Sequence, residues 1–217
     1  MLREVITNDW YTIFIVIGLV FIVASKTLFG LRFMDFLLVV GNSKYLKIYA
    51  REQKFIDTFD SLLFVNLVLS FSVFSYISYS QLIAPIDFDL FTFLKVAFAI
   101  AAIILMKVLI ERLIGSLFDI DPIIDSYLFQ KTTFKNYTGL LLLPLNALLL
   151  FTLTPSKFVI YAIFGVIVLI NLIGFVTSFK THQKLLINNL FYFILYLCAL
   201  EIGPYVILYK VFVEYNA

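Results

Sequence analysis

A glutamate followed three residues later by a proline, Glu201 and Pro204, stands inside an apolar run late in the chain. A carboxylate at membrane depth costs roughly 3 kcal/mol on insertion scales, so an intramembrane glutamate is a functional hypothesis by default. Pro204 has no N–H for the Leu200 carbonyl and its ring pushes that carbonyl away, which predicts a kink. A freed carbonyl beside a carboxyl group is how transporters build ion and proton sites. Helical spacing puts Tyr205 and Cys198 on the Glu201 face. A plainer reading stands beside this one. The seventeen residues from Lys184 to Glu201 make about 25 Å of helix, enough to carry Glu201 to the opposite headgroups, where it is solvated.

The other candidates are charged residues at helix ends. Lys107 and Glu111 lie at i,i+4 with Arg112 adjacent, a spacing that suits an interfacial ion pair. Lys44, Lys47 and Arg51 interleave with Tyr45, Leu46, Ile48 and Tyr49, the pattern of a basic amphipathic helix in the headgroup plane. Between Leu113 and Leu128 apolar residues recur at helical spacing while Asp119, Asp121 and Asp125 supply a polar side. An anionic leaflet repels such a face, so it should pack on the protein's own bases or on a partner, with Pro122 dividing it into two helices. Within the apolar runs, Asn66 with Ser70, Asn146, and Asn171 with Gly174 and Ser178 look like helix-packing seams. One histidine, His182, in a short loop Lys180–Lys184, and one cysteine, Cys198, assemble no familiar metal site, so neither metal nor cofactor is expected. No HExxH, glycine-rich phosphate loop or GxSxG occurs.

These side chains must be positioned by membrane helices. Apolar residues make up 63% of the 217 and charged residues 14%, against about 25% charge in a soluble domain, too little to coat a globule in water. A net charge of +2 gives no footprint for nucleic acid. Uncharged runs at 61–86, 136–156 and 158–179 are long enough to span a bilayer, and three further spans follow from interfacial anchors and snorkelling lysines. Trp10 and Tyr11 anchor the first, which is read as a retained helix because Arg3, Glu4 and Asp9 do not make a basic leader. The expected fold is all-α: a polytopic helical bundle in one membrane domain, with spans at about 10–26, 60–80, 90–110, 137–154, 158–179 and 185–209. Amphipathic interfacial helices occupy cytoplasmic connections at about 27–58 and 111–135. That threading puts twelve of the sixteen Lys and Arg on one side, so by the positive-inside rule that side is cytoplasmic and both termini face away from it.

Asn8-Asp9-Trp10, Gly41-Asn42-Ser43-Lys44-Tyr45 through Arg51-Glu52, Gly139-Leu140-Leu141-Leu142-Leu143-Pro144-Leu145 and, above all, the run Ile194 to Pro204 carry a resemblance. Nearly the whole chain resembles a family of small integral membrane proteins from Bacteroidota described as a domain of unknown function. The resemblance implies the inner membrane of a Gram-negative bacterium, hence periplasmic termini, and implies no activity.

With no catalytic constellation and no polar channel lining, the sequence points to a non-enzymatic inner-membrane subunit or assembly factor. Such a protein works in the bilayer with other envelope proteins or as a homo-oligomer. The rival is a small transporter or ion-coupled carrier built on Glu201. A lipid-modifying enzyme would need the polar cluster of Lys107, Glu111, Arg112, Asp119, Asp121 and Asp125.

Overall fold

The computed structural model describes residues 9–42, 44–50, 57–83, 87–117, 121–152 and 156–188. They form seven helices: α1 (Asp9–Leu28), α2 (Gly30–Leu37), α3 (Lys44–Tyr49), α4 (Thr58–Leu82), α5 (Leu90–Leu117), α6 (Asp121–Phe151) and α7 (Lys157–Asn188). No strand occurs among the described residues. Five helices are long and apolar enough to cross a membrane: α1, α4, α5, α6 from Ile124, and α7 to Ser178. The expected helical membrane bundle is therefore the fold found. The sixth expected span, 185–209, lies outside the described residues except for 185–188, which continue α7.

In the connection expected to carry interfacial helices, residues 111–117 form the end of α5 and residues 121–135 the start of α6. Pro122 sits in the first turn of α6, where its missing N–H disturbs no helical bond. α7 runs on through Lys180–Lys184, so His182 lies on a helix and not in a loop. Neither Gly nor Pro interrupts that stretch, and Lys and Gln are good helix formers.

α4 is the hub, packed against α1, α5, α6 and α7. It runs parallel to α6. Near one end Asn136 Nδ2 donates to the Asp60 carbonyl at 3.4 Å, and ten residues along both helices Asn146 Nδ2 donates to the Ser70 carbonyl at 2.8 Å. Between these bonds the backbones nearly touch: a Cβ added at Gly139 would lie 2.6 Å from the Leu67 Cα. Without a hydrophobic drive between helices in lipid, small residues and amide hydrogen bonds hold such a crossing together. The seam expected from Asn66, Ser70 and Asn146 is this α4–α6 contact, with all three buried. Pro144 faces outward and α6 stays helical through it.

Aromatic packing closes one end. Tyr76 Oη donates to the Asp87 carbonyl and accepts from Asp89 N–H, both at 3.1 Å, fixing the chain before α5. Phe88 packs among the rings of Trp10, Tyr11 and Phe93. Asp89 then starts α5 by accepting from Thr92 N–H at 2.9 Å and Thr92 Oγ1–H at 2.5 Å.

The short helices lie at the other end. α2 buries Phe33 and Phe36 and leaves Leu31 and Met34 exposed, so it has one face in the bundle and one outside. α3 behaves differently from a lipid-lying helix. Tyr45 and Leu46 are buried in a cluster with Phe36, Phe59 and Phe129, so its apolar side caps the protein's own core.

Candidate functional site

Charged side chains from α2, α4, α5 and α6 gather at the end capped by α3, and they form two groups. The first begins with local sequence. Asp57 is the N-cap of α4, its carboxylate accepting from Phe59 N–H at 3.1 Å. Asp60 follows in the first turn, where the helix dipole favours an acid. Arg32 of α2 forms ion pairs with both, reaching Asp60 Oδ2 at 3.3 Å. Its Nε donates to Tyr45 Oη at 3.4 Å, and its guanidinium lies 4.6 Å from the Phe59 ring centre and 5.1 Å from that of Tyr49. Planar, forked and weakly hydrated, a guanidinium suits such a mixed acid and aromatic nest better than an ammonium does. Burial pushes the Tyr45 hydroxyl above its ordinary pKa and the Asp60 charge adds to that, so it stays a neutral phenol. This group latches α2 and α3 onto the start of α4.

The second group joins α5 and α6. Glu111 has no exposed surface, and its Oε1 accepts from Lys131 Nζ at 2.5 Å. The carboxylate thus meets a cation on the neighbouring helix. Arg112 reaches Asp125 at 3.5 Å in a half-exposed pair, so one acid of the 119–125 stretch faces the protein's own base. Beneath these pairs Ile124, Tyr127 and Leu128 are buried against Val108 and Ile114. A Cβ added at Gly115 would lie 3.0 Å from Ile124 Cβ, so the helices are close there too. Of the two alternatives for the Leu113 to Leu128 stretch, its α6 half packs on the protein itself, while Leu113 and Leu117 on α5 are exposed.

A cavity of about 180 Å³ opens beside this second group, between α5, α6 and α7. Lys107, Lys131 and Lys135 line it together with Tyr127, Asn171 and Ser178. In the sequence Lys131 and Lys135, one helical turn apart, and Arg32 add only to the one-sided distribution of Lys and Arg. Nothing in their spacing marks Arg32 as the partner of acids 25 and 28 positions away.

The remaining expected residues are scattered. Lys44 is exposed and bonds Asp35 at 3.3 Å, and Lys47 is exposed on α3. Arg51 and Asp119 lie outside the described residues, as do Cys198, Glu201, Pro204 and Tyr205. No group of three or more His, Cys, Asp or Glu among the described residues is arranged to hold a metal ion.

No curated protein and no solved structure matches this chain. A family described as Domain of unknown function (DUF4271) matches residues 11–212, nearly the whole length. By that match the chain, whose described residues form seven helices, five of them of membrane-crossing length, belongs to the DUF4271 family.

Proposed function

We propose that this protein is a non-enzymatic, multi-pass subunit or assembly factor of a Bacteroidota inner membrane, working with other proteins of the cell envelope. The observation that carries this reading is the outer face of α5. Phe98, Met106, Leu109, Leu113 and Leu117 are all exposed along it. Acyl chains suit the first part of that stripe. Leu113 and Leu117, 60% and 70% exposed, lie beyond Arg112, whose half-exposed pair with Asp125 marks the polar boundary. Apolar surface at that level is better covered by protein than by headgroups. Arg32, Lys44, Lys47, Lys107, Arg112, Lys131 and Lys135 belong to elements meeting at this same end, which supports a cytoplasmic location for it and periplasmic termini.

A photo-crosslinking side chain placed at Leu113 or Leu117 tests the proposal in native membranes. The expected product is a discrete adduct with one envelope protein, absent when the probe stands at Val168, which is exposed on α7. An adduct of twice the chain's own mass would make the partner a second copy and remove the heteromeric reading. Lipid adducts alone at both positions would overturn the proposal.

A further inference from the structure

We propose that the outward face of α2 is a lipid-binding surface for anionic phospholipids, with acyl chains against Leu31, Met34 and Leu38 and headgroup phosphates against Lys26 and Lys47. The eight residues of α2 make about 12 Å of helix, too short to cross a bilayer. Its level is set from two sides. α2 follows α1, whose 20 residues make about 30 Å, the thickness of the hydrocarbon. Phe29, at φ −131° and ψ 47°, interrupts the helix between them, so α2 need not continue the line of that span. On its inward side Arg32 pairs with Asp57 and Asp60, the N-cap and first turn of α4. α2 therefore lies beside the ends of two spanning helices, where hydrocarbon gives way to headgroups.

Leu31, Met34 and Leu38 recur at i, i+3 and i+7 and are 87%, 56% and 61% exposed, while Phe33 and Phe36 are buried in the bundle. Both sides of α2 are thus apolar, and its two charged residues are already engaged. Arg32 serves the α4 acids, and Asp35 is bonded by Lys44 at 3.3 Å. An outward face of this kind is made for lipid and not for water. The bases come from the neighbouring helices. Lys26 is exposed in the last turn of α1. Lys47 is exposed on α3, three residues after Lys44, whose bond to Asp35 brings that side of α3 to α2. Neither Lys26 nor Lys47 has an ion pair or side-chain hydrogen bond among the described residues. The acids of α2 and of the start of α4, Asp35, Asp57 and Asp60, are each in an ion pair, so the unpaired charge here is basic. Lysine stems lie along apolar surface while their ammonium groups reach phosphates. An apolar helix face flanked by lysines lies in the interface, and such lysines favour anionic over zwitterionic lipid.

The test uses the full chain in phosphatidylcholine vesicles. Cys198 is the single cysteine, so a Cys198→Ser background lets Leu31→Cys or Met34→Cys carry a fluorophore alone. Quenching is measured with a small, fixed fraction of nitroxide-labelled lipid. A nitroxide near the headgroup should quench at both positions more than one near the chain end, and the order should reverse at Val168→Cys, near the middle of the α7 span. The shallow nitroxide should quench Met34→Cys roughly two- to fivefold more when carried on phosphatidylglycerol than on phosphatidylcholine. Adding Lys26→Gln and Lys47→Gln should abolish that excess and leave the depth order unchanged. The depth order is read with both lysines in place, so it does not depend on those variants folding. Quenching at Leu31 and Met34 by aqueous acrylamide and not by lipid would put the face in water and overturn the proposal. Protection from both quenchers would mean that protein covers it, a second copy included, and would overturn it too. Equal quenching by the two lipids, or an excess that survives the lysine variants, would overturn the anionic preference.

Discussion

Glu111 of α5 and Lys131 of α6 meet at 2.5 Å, the carboxylate with no exposed surface and the lysine side chain 15% exposed. The second carboxylate oxygen, Oε2, has no hydrogen-bond partner among the described residues. A buried charge in this position depends heavily on its cation. Removing one member of such a pair typically costs about 3–5 kcal/mol, because the other is left uncompensated. Lys131→Met should therefore lower stability by roughly 3 kcal/mol, while the double variant Glu111→Gln/Lys131→Met recovers most of the loss. Thermal unfolding of all four proteins in detergent checks this, and additive losses would show that the pair is not coupled.

The Arg32 latch should discriminate between two cations. Arg32→Gln leaves Asp57 and Asp60 facing each other without a counter-charge, and a loss of about 2–3 kcal/mol is expected. Arg32→Lys restores charge without the fork or the flat face against Phe59, so roughly 1 kcal/mol should remain lost. Equal stability of the lysine variant and the parent in chemical denaturation would show that charge alone suffices.

Two glycines on long helices should respond in opposite ways. At Gly139 an added methyl falls on the Leu67 backbone, which no side-chain rotation relieves, so Gly139→Ala should cost about 1–3 kcal/mol. Gly165 of α7 has nothing within 4 Å of the same position. Gly165→Ala should be neutral or stabilising by up to about 1 kcal/mol, the helix-propensity difference. Parallel thermal unfolding of the two variants decides whether the α4–α6 crossing is as close as described.

Asp89 gives a pH-dependent prediction. Hydrogen bonds from the Thr92 side chain and backbone hold its carboxyl below the ordinary aspartate range. Its capping contribution is therefore fully present above the unfolded value of about 3.9, and is lost as pH falls through the lower folded value. Amide exchange at Phe91 and Thr92 should accelerate in Asp89→Ala at neutral pH. In the parent the same change should appear only in acid. Unchanged exchange in the variant would remove the cap.

The sequence by itself determined that this is a bundle of membrane helices and roughly where most of them lie. In hydrocarbon every backbone N–H and C=O must be satisfied within the segment, so a long uncharged run leaves helix as the answer. The runs at 61–86, 136–156 and 158–179 accordingly fall largely within α4, α6 and α7. The same apolarity hides which face of a helix is inside, since a helix apolar all round has no stripe to read. α4 and α5 look alike in sequence, yet 61% of the spanning window of α4 is buried and only 11% of that of α5. Only the tertiary structure decided that difference. It also brought Lys131 to Glu111 across 20 positions and Arg32 to Asp60 across 28. Contacts of that kind depend on the rotation and crossing of helices, which side-chain spacing along one helix does not encode.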